Sequence, residues 1–199
     1  MMQLKDVYFS LLNNKLKYIT YGDDSIDKDG KEPLVIFSGS FNPARHKHLK
    51  LAKLAHAVSG EKVWLEISIT NSVKGIITYD DLRDRMALLV ADGVRENPAI
   101  AGILLTNAPN FVDKFHVFNR PIDFVCGQDT LNKVMDVEYH ETFNEFEQSI
   151  LTLANQVTFL VAQRIGCNRK KVCRDLTTLD LDKCTIKDGI IQSRTNGYM

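Results

Sequence analysis

Apolar runs too short for anything but strands alternate with helix-patterned segments from about residue 33 to residue 165, and that alternation restricts the chain to few architectures. "PLVIF", "KVWLEISIT", "AIAGILLT", "IDFVCG" and "VTFLVAQR" are continuous apolar stretches, as expected of strands buried on both faces. Between them, "PARHKHLKLAKLAHAVSG" reads as a helix with Pro43 near its start, a stripe of Leu49, Ala52, Ala55 and His56, and Ser59-Gly60 as a stop. "TYDDLRDRMALLVADGV" reads as a second helix, with Thr78 as N-cap and acids in its first turn. "QDTLNKVMD" opens a third and "EFEQSILTLANQ" is helical. Strand and helix in turn imply an α/β fold: a Rossmann-like, doubly wound, mostly parallel sheet with helices on both faces.

Residues 4 to 20, with Leu4, Val7, Tyr8, Leu11, Leu12, Leu16 and Ile19, are spaced for an amphipathic helix, and "YGDDSIDKDGKE" reads as a loop. Residues 1–32 are thus expected to form an N-terminal helix and loop, and 33–199 the main domain. Its last thirty or so residues, from Gly166, are polar and weakly patterned, extended or loosely ordered.

The 25 basic residues balance 25 acidic ones, so a broad nucleic-acid surface, which leaves a basic excess, is not expected. A local pocket for a small anion is not excluded. The sequence has no apolar run of membrane-spanning length and no signal-peptide core, so a soluble cytoplasmic protein is expected. Cys126, Cys167, Cys173 and Cys184 match no zinc spacing and read as reduced thiols. Glu138, His140 and Glu141 do not share one face convincingly, so no protein-held metal is expected. His56 and His116 read as structural.

"GSFNPARHKH" follows the first buried strand, where ligands bind in such sheets. Gly39 and Ser40 allow a tight turn. The next helix offers unbonded N–H groups and partial positive charge at its start. Arg45, Lys47 and His48 add donors. Basic residues there oppose the helix dipole, so stability alone does not explain them, and the stretch reads as a phosphate site. The competing reading is a solvated basic first turn.

"SGSFNPARHKHLKLA" resembles the first signature of the nucleotidylyltransferase superfamily, Gly-Ser-Phe-(Asn/Asp)-Pro-x-His-x-Gly-His-Leu. The similarity is to its nicotinamide-mononucleotide adenylyltransferase-like members, including the cytidylyltransferase-like, CinA-associated group. "ISITNSVKG", "LLTNAPNFVDK" and "FVCGQDTLNKV" resemble further segments of that group in the same order, over roughly residues 34 to 165. The resemblance implies direct nucleotidyl transfer, adenylyl or cytidylyl. A phosphate of an acceptor such as nicotinamide mononucleotide attacks the α-phosphorus of a nucleoside triphosphate, and pyrophosphate leaves. Mg²⁺ travels on the triphosphate. Positioning and charge stabilisation do the catalysis. His48 falls on the signature's second histidine and is expected to bond a phosphate oxygen as charge builds. Ser40 and Phe41 belong to the turn whose backbone N–H groups face the phosphates. Self-association is common in such proteins, so a homo-oligomer is open.

Lys74 falls on a lysine of the related group, suited to an acceptor phosphate, or is a solvated loop lysine. Arg85 reaches the same pocket or is an exposed helix charge, the second being slightly favoured. Thr70 and Asn71 end a strand at the ligand edge, placed for a base or amide, while Trp64 reads as core. Asp129 is placed for ribose hydroxyls or for helix capping, and Gly127 for close backbone approach.

The chain departs from the pattern in three places. Arg45 replaces the first histidine; it is always charged and cannot act as a neutral donor-acceptor. Lys47 replaces the glycine that lets the base lie near the helix. The late Ile-Ser-Ser-Thr-x-x-Arg signature is missing, with only Ser193, Arg194 and Thr195 in another order. A non-catalytic binder of nucleotides or phosphometabolites is therefore the alternative expectation, and a vestigial interaction module a third.

Overall fold

The computed structural model describes residues 3–22, 34–43, 46–72, 75–94, 96–162, 185–187 and 190–193, the last two segments by backbone only. The central strands are β2 (Leu34–Ser38), β3 (Val63–Ser68), β6 (Ile100–Thr106), β7 (Ile122–Gly127) and β8 (Val157–Ala162). They are the five apolar runs, and all pairings among them are parallel. Their order, β6-β3-β2-β7-β8, runs outward from β2 in both directions, so the switch point lies beside β2. The fold is α/β, a Rossmann-like sheet covered on both faces.

Alternation along each strand divides the core. Val35 and Phe37 of β2 and Val63, Leu65 and Ile67 of β3 pack with α1 (Leu4–Leu12), α2 (His46–Ser59) and α3 (Tyr79–Ala91). Leu34 and Ile36 of β2 and Trp64 of β3 point the other way. They pack with α4 (Phe111–Phe118), α5 (Gln128–Val134) and α6 (Phe143–Gln156). Continuous apolar strands are the consequence of two covered faces. Thr78 caps α3, accepting from the Asp81 N–H at 3.1 Å, and Trp64 is buried, both as expected.

The sheet extends beyond this unit. β1 (Tyr18–Gly22) pairs antiparallel with β6. At the far edge β10 (Ile190–Ser193) pairs antiparallel with β8, and β9 (Thr185–Lys187) with β10. A helix over residues 4–20 is therefore corrected: α1 ends at Leu12, Asn14 takes a left-handed conformation (φ 55°), and Tyr18 to Tyr21 are extended. Leu16 and Ile19 keep helical spacing, but the Asn13-Asn14 turn and the aromatic, β-branched run override it. At Gly102 (φ 154°) and Gly22, β1 and β6 lie so close that a Cβ on either glycine would strike the opposite backbone. Two further elements are absent from the sequence reading: α4, capped by Asn110, and the hairpin β4 (Thr70–Asn71) with β5 (Gly75–Ile76).

Candidate functional site

β2 ends at Ser38, and the ladder continues one residue, the Gly39 N–H donating to the Glu66 carbonyl at 3.0 Å. The chain then turns sharply. Phe41 is left-handed (φ 42°) and its ring is buried. That ring lies over Gly39, where a Cβ would stand 2.9 Å from Phe41 Cζ. Glycine is needed there for ring packing. Phe41 itself packs edge-on against Phe37 (5.4 Å) and His48 (5.3 Å). Its side chain belongs to the core, so only its backbone is placed to meet a ligand.

The Asn42–Pro43 peptide is cis and α2 starts at His46, so Pro43 precedes the helix and does not sit in its first turn. Lys47 is exposed. His48 is partly buried, its ring against both Phe41 and Phe37. Two apolar rings thus fix the imidazole's place beside the turn. Arg45 and Lys74 lie outside the described residues.

β7 runs beside β2, with Val125 opposite Phe37. Two residues beyond that pair lie Gly39 on one strand and Gly127 on the other, so both turns leave the sheet at one level. Gly127 is the N-cap of α5 in an extended conformation, with open space where a Cβ would project. Its backbone does not require glycine, and the space beside it is compatible with close approach. Asp129 stands in the first turn of α5. The structure therefore brings Gly39, Ser40, Phe41, His48, Gly127 and Asp129 to one edge of the sheet.

Thr70 and Asn71 lie at the same end, but not as the end of β3. They form the first strand of the separate hairpin. The Thr70 hydroxyl donates to Asn107 Oδ1, and Asn107 Nδ2 donates to the Leu11 carbonyl at 3.1 Å and to Asn14 Oδ1 at 3.0 Å. Thr70 thus ties the hairpin to the loop after β6 and to α1.

Arg85 corrects a favoured expectation. It is partly buried, and its Nη1 donates to the Ser40 carbonyl at 3.2 Å across 45 positions of sequence. Its neighbour Arg83 is the exposed helix charge, paired with Asp80 (2.8 Å) and Asp84 (2.9 Å).

A buried polar cluster beneath the edge escaped the sequence reading. Glu66 of β3 accepts from the Thr106 hydroxyl. Lys114 of α4 lies 3.8 Å from Glu66 Oε1, donates to the Ala108 carbonyl at 2.7 Å and sits over the Phe111 ring. A glutamate in the apolar run "VWLEIS" and a lysine among the phenylalanines of "NFVDKF" were the available signals. Gln128, also buried, donates to Asn132 at 3.0 Å.

Ser193 stands opposite Phe159 and Ile190 opposite Ala162, the last residue of β8. β10 therefore runs away from the edge that carries the turns. Arg194 and Thr195 lie outside the described residues. His140 approaches the Val134 carbonyl at 3.3 Å and packs on Phe146. Among the described residues no group of three His, Cys, Asp or Glu is arranged to hold a metal, and no helix is long and apolar enough to cross a membrane. No family model matches the chain, and no curated protein matches it in sequence.

Proposed function

We propose that the edge around residues 39–48 and 127–129 holds the phosphates of a nucleotide and that the protein is a nucleotidyltransferase. The observation that carries this reading is the placement of the Gly39–Phe41 turn and His48 at the switch point of a parallel sheet, opposite the start of α5. Ligands of such sheets lie in that crevice, and the start of the fourteen-residue α2 favours negative charge there. The resemblance of this stretch to the nucleotidylyltransferase signature supports the same reading.

In the proposed reaction a phosphate oxygen of the acceptor, a mononucleotide such as nicotinamide mononucleotide, attacks the α-phosphorus of ATP or CTP. The bond to the β-phosphate bridging oxygen breaks, and pyrophosphate leaves with its Mg²⁺. His48 donates to a phosphate oxygen as charge accumulates. Arg45 pairs with the triphosphate as a permanent cation, and Lys47 and Lys74 add charge. Asp129 accepts from ribose hydroxyls. Thr70 and Asn71 face the acceptor. The cytoplasm, with its nucleoside triphosphate pool, is the expected compartment.

The direction of β10 favours a second reading. It carries Ser193 away from the edge by three residues, ~10 Å, so among the described residues of this segment no serine stands at the edge. A protein that binds the nucleotide without turning it over fits that observation. Calorimetric titration with MgATP, MgCTP and nicotinamide mononucleotide, followed by a pyrophosphate-release assay, separates the two. Binding with release supports the transferase. Binding without release supports the non-catalytic reading. Absence of binding overturns both.

A further inference from the structure

We infer that Arg85 is a phosphate-binding residue of this edge, with its guanidinium against the Gly39–Phe41 turn to grip the tail of a nucleoside triphosphate. The inference rests on the nucleotide-binding reading above and adds a residue from a different helix to it. Three observations meet at this side chain. Arg85 lies on α3, which covers the same sheet face as α2, and its Nη1 bonds the Ser40 carbonyl. Its Nε is sealed from solvent and has no acceptor among the described residues. Arg83, two positions earlier, has its charge answered by Asp80 and Asp84, whereas no carboxylate pairs with Arg85 among the described residues.

A shielded N–H without an acceptor is costly, and a planar fork carries five donors. One of them anchors the fork to the turn. The anchor sets the plane of the guanidinium beside the backbone that meets the phosphates, and the rest of the fork supplies charge-assisted bonds to phosphate oxygens. A simple helix-surface arginine needs neither the shielded Nε nor the long-range bond.

The test is calorimetric titration of the full chain with MgATP, MgCTP and nicotinamide mononucleotide. Wild type, Arg85→Gln, Arg85→Lys and His48→Ala are compared, with a thermal melt of each. Arg85→Gln is expected to weaken triphosphate binding ten- to a hundredfold, with mononucleotide affinity within twofold of wild type. Arg85→Lys is expected to recover part of the loss, because it restores charge without the fork. Guanidinium ion at millimolar concentration is expected to rescue an Arg85→Ala variant. Triphosphate affinity within twofold of wild type in Arg85→Gln overturns the inference. If His48→Ala is weakened in the same experiment, the functional reading stands without Arg85. Equal losses for both ligands with a lowered melting temperature reduce Arg85 to a support for the turn and overturn the inference. A loss confined to the mononucleotide overturns the assignment to the triphosphate tail. Failure of wild type to bind any triphosphate overturns the inference together with the reading beneath it.

Discussion

Lys114 Nζ lies 3.8 Å from Glu66 Oε1, and both side chains are almost wholly shielded from water, at 5% and 1% exposure. Glu66 stands near the carboxyl end of β3 and Lys114 on α4, so the two charges are desolvated beneath the candidate edge. Neither is satisfied by the other alone: the ammonium also bonds the Ala108 carbonyl, and the carboxylate accepts from Thr106.

Removing one partner leaves the other buried and uncompensated. Lys114→Met is expected to cost ~3–5 kcal/mol, as for other broken buried pairs. In a chain of this size that lowers the melting temperature by ~10 °C. Lys114→Met combined with Glu66→Gln is expected to regain more than half of the loss. Thermal or urea unfolding of the two variants checks this. A single variant as stable as wild type would show that the pair does not support the fold.

Cys126 gives the fold a dependence on alkaline pH. Burial pushes its thiol up to about 12, with a small opposing effect from the backbone of residue 131. Burial also raises the Tyr21 hydroxyl. In the unfolded chain both groups ionise at lower pH, so above about pH 9 the unfolded state binds fewer protons than the native one. Stability is then full below pH 9 and declines as pH rises towards 12, by ~1.4 kcal/mol per pH unit for one such group. Urea midpoints at pH 8, 9.5 and 11 read the slope. Cys126→Ala is expected to flatten it, leaving the contribution of Tyr21. An unchanged slope in that variant would place the alkaline sensitivity elsewhere.

Gly39 is held by the aromatic ring above it. A methyl group at this position meets Phe41 Cζ at 2.9 Å, and the ring has little room to move, since Phe37 and His48 pack on it. Gly39→Ala is expected to destabilise by ~1–3 kcal/mol, the usual range for overpacking. Gly39→Ala with Phe41→Leu is expected to be more stable than Gly39→Ala alone, because the smaller side chain opens space. Unfolding midpoints of the single and double variants decide it.

The parallel sheet was legible because burial on both faces writes itself as unbroken apolar runs, as in "PLVIF" and "IDFVCG". β1 was not. Leu16 and Ile19 fall on a helical stripe with Leu12, and only tertiary pairing with β6 makes Tyr18–Gly22 a strand. The first turn of the candidate site could be placed from Gly39 and Ser40 alone. For Arg85 the pocket and the exposed helix face both stayed open, because the bond that joins it to Ser40 spans 45 residues and leaves no local periodicity. Glu66 and Lys114 were hidden for a similar reason: each looks like an isolated charge until α4 folds over the end of β3. The hydroxyl of Thr70 was legible as an edge group, but its bond to Asn107 depends on the hairpin that carries it.

At His48 the proposed phosphate contact can be separated from the packing its ring makes. The imidazole packs 5.3 Å from the Phe41 ring and 6.0 Å from Phe37 while remaining partly exposed at the edge. Aromatic contacts of this kind contribute ~0.5–1.5 kcal/mol, so His48→Ala is expected to fold with only a modest loss of stability. If the ring donates to a phosphate oxygen in the transition state, its removal lowers pyrophosphate release by ~10²- to 10³-fold, the effect of losing one such donor. His48→Phe keeps the ring packing and removes the donor. It is expected to match wild type in its melting temperature and His48→Ala in its lack of turnover. Pyrophosphate release by His48→Phe at the wild-type rate would assign the ring to packing alone.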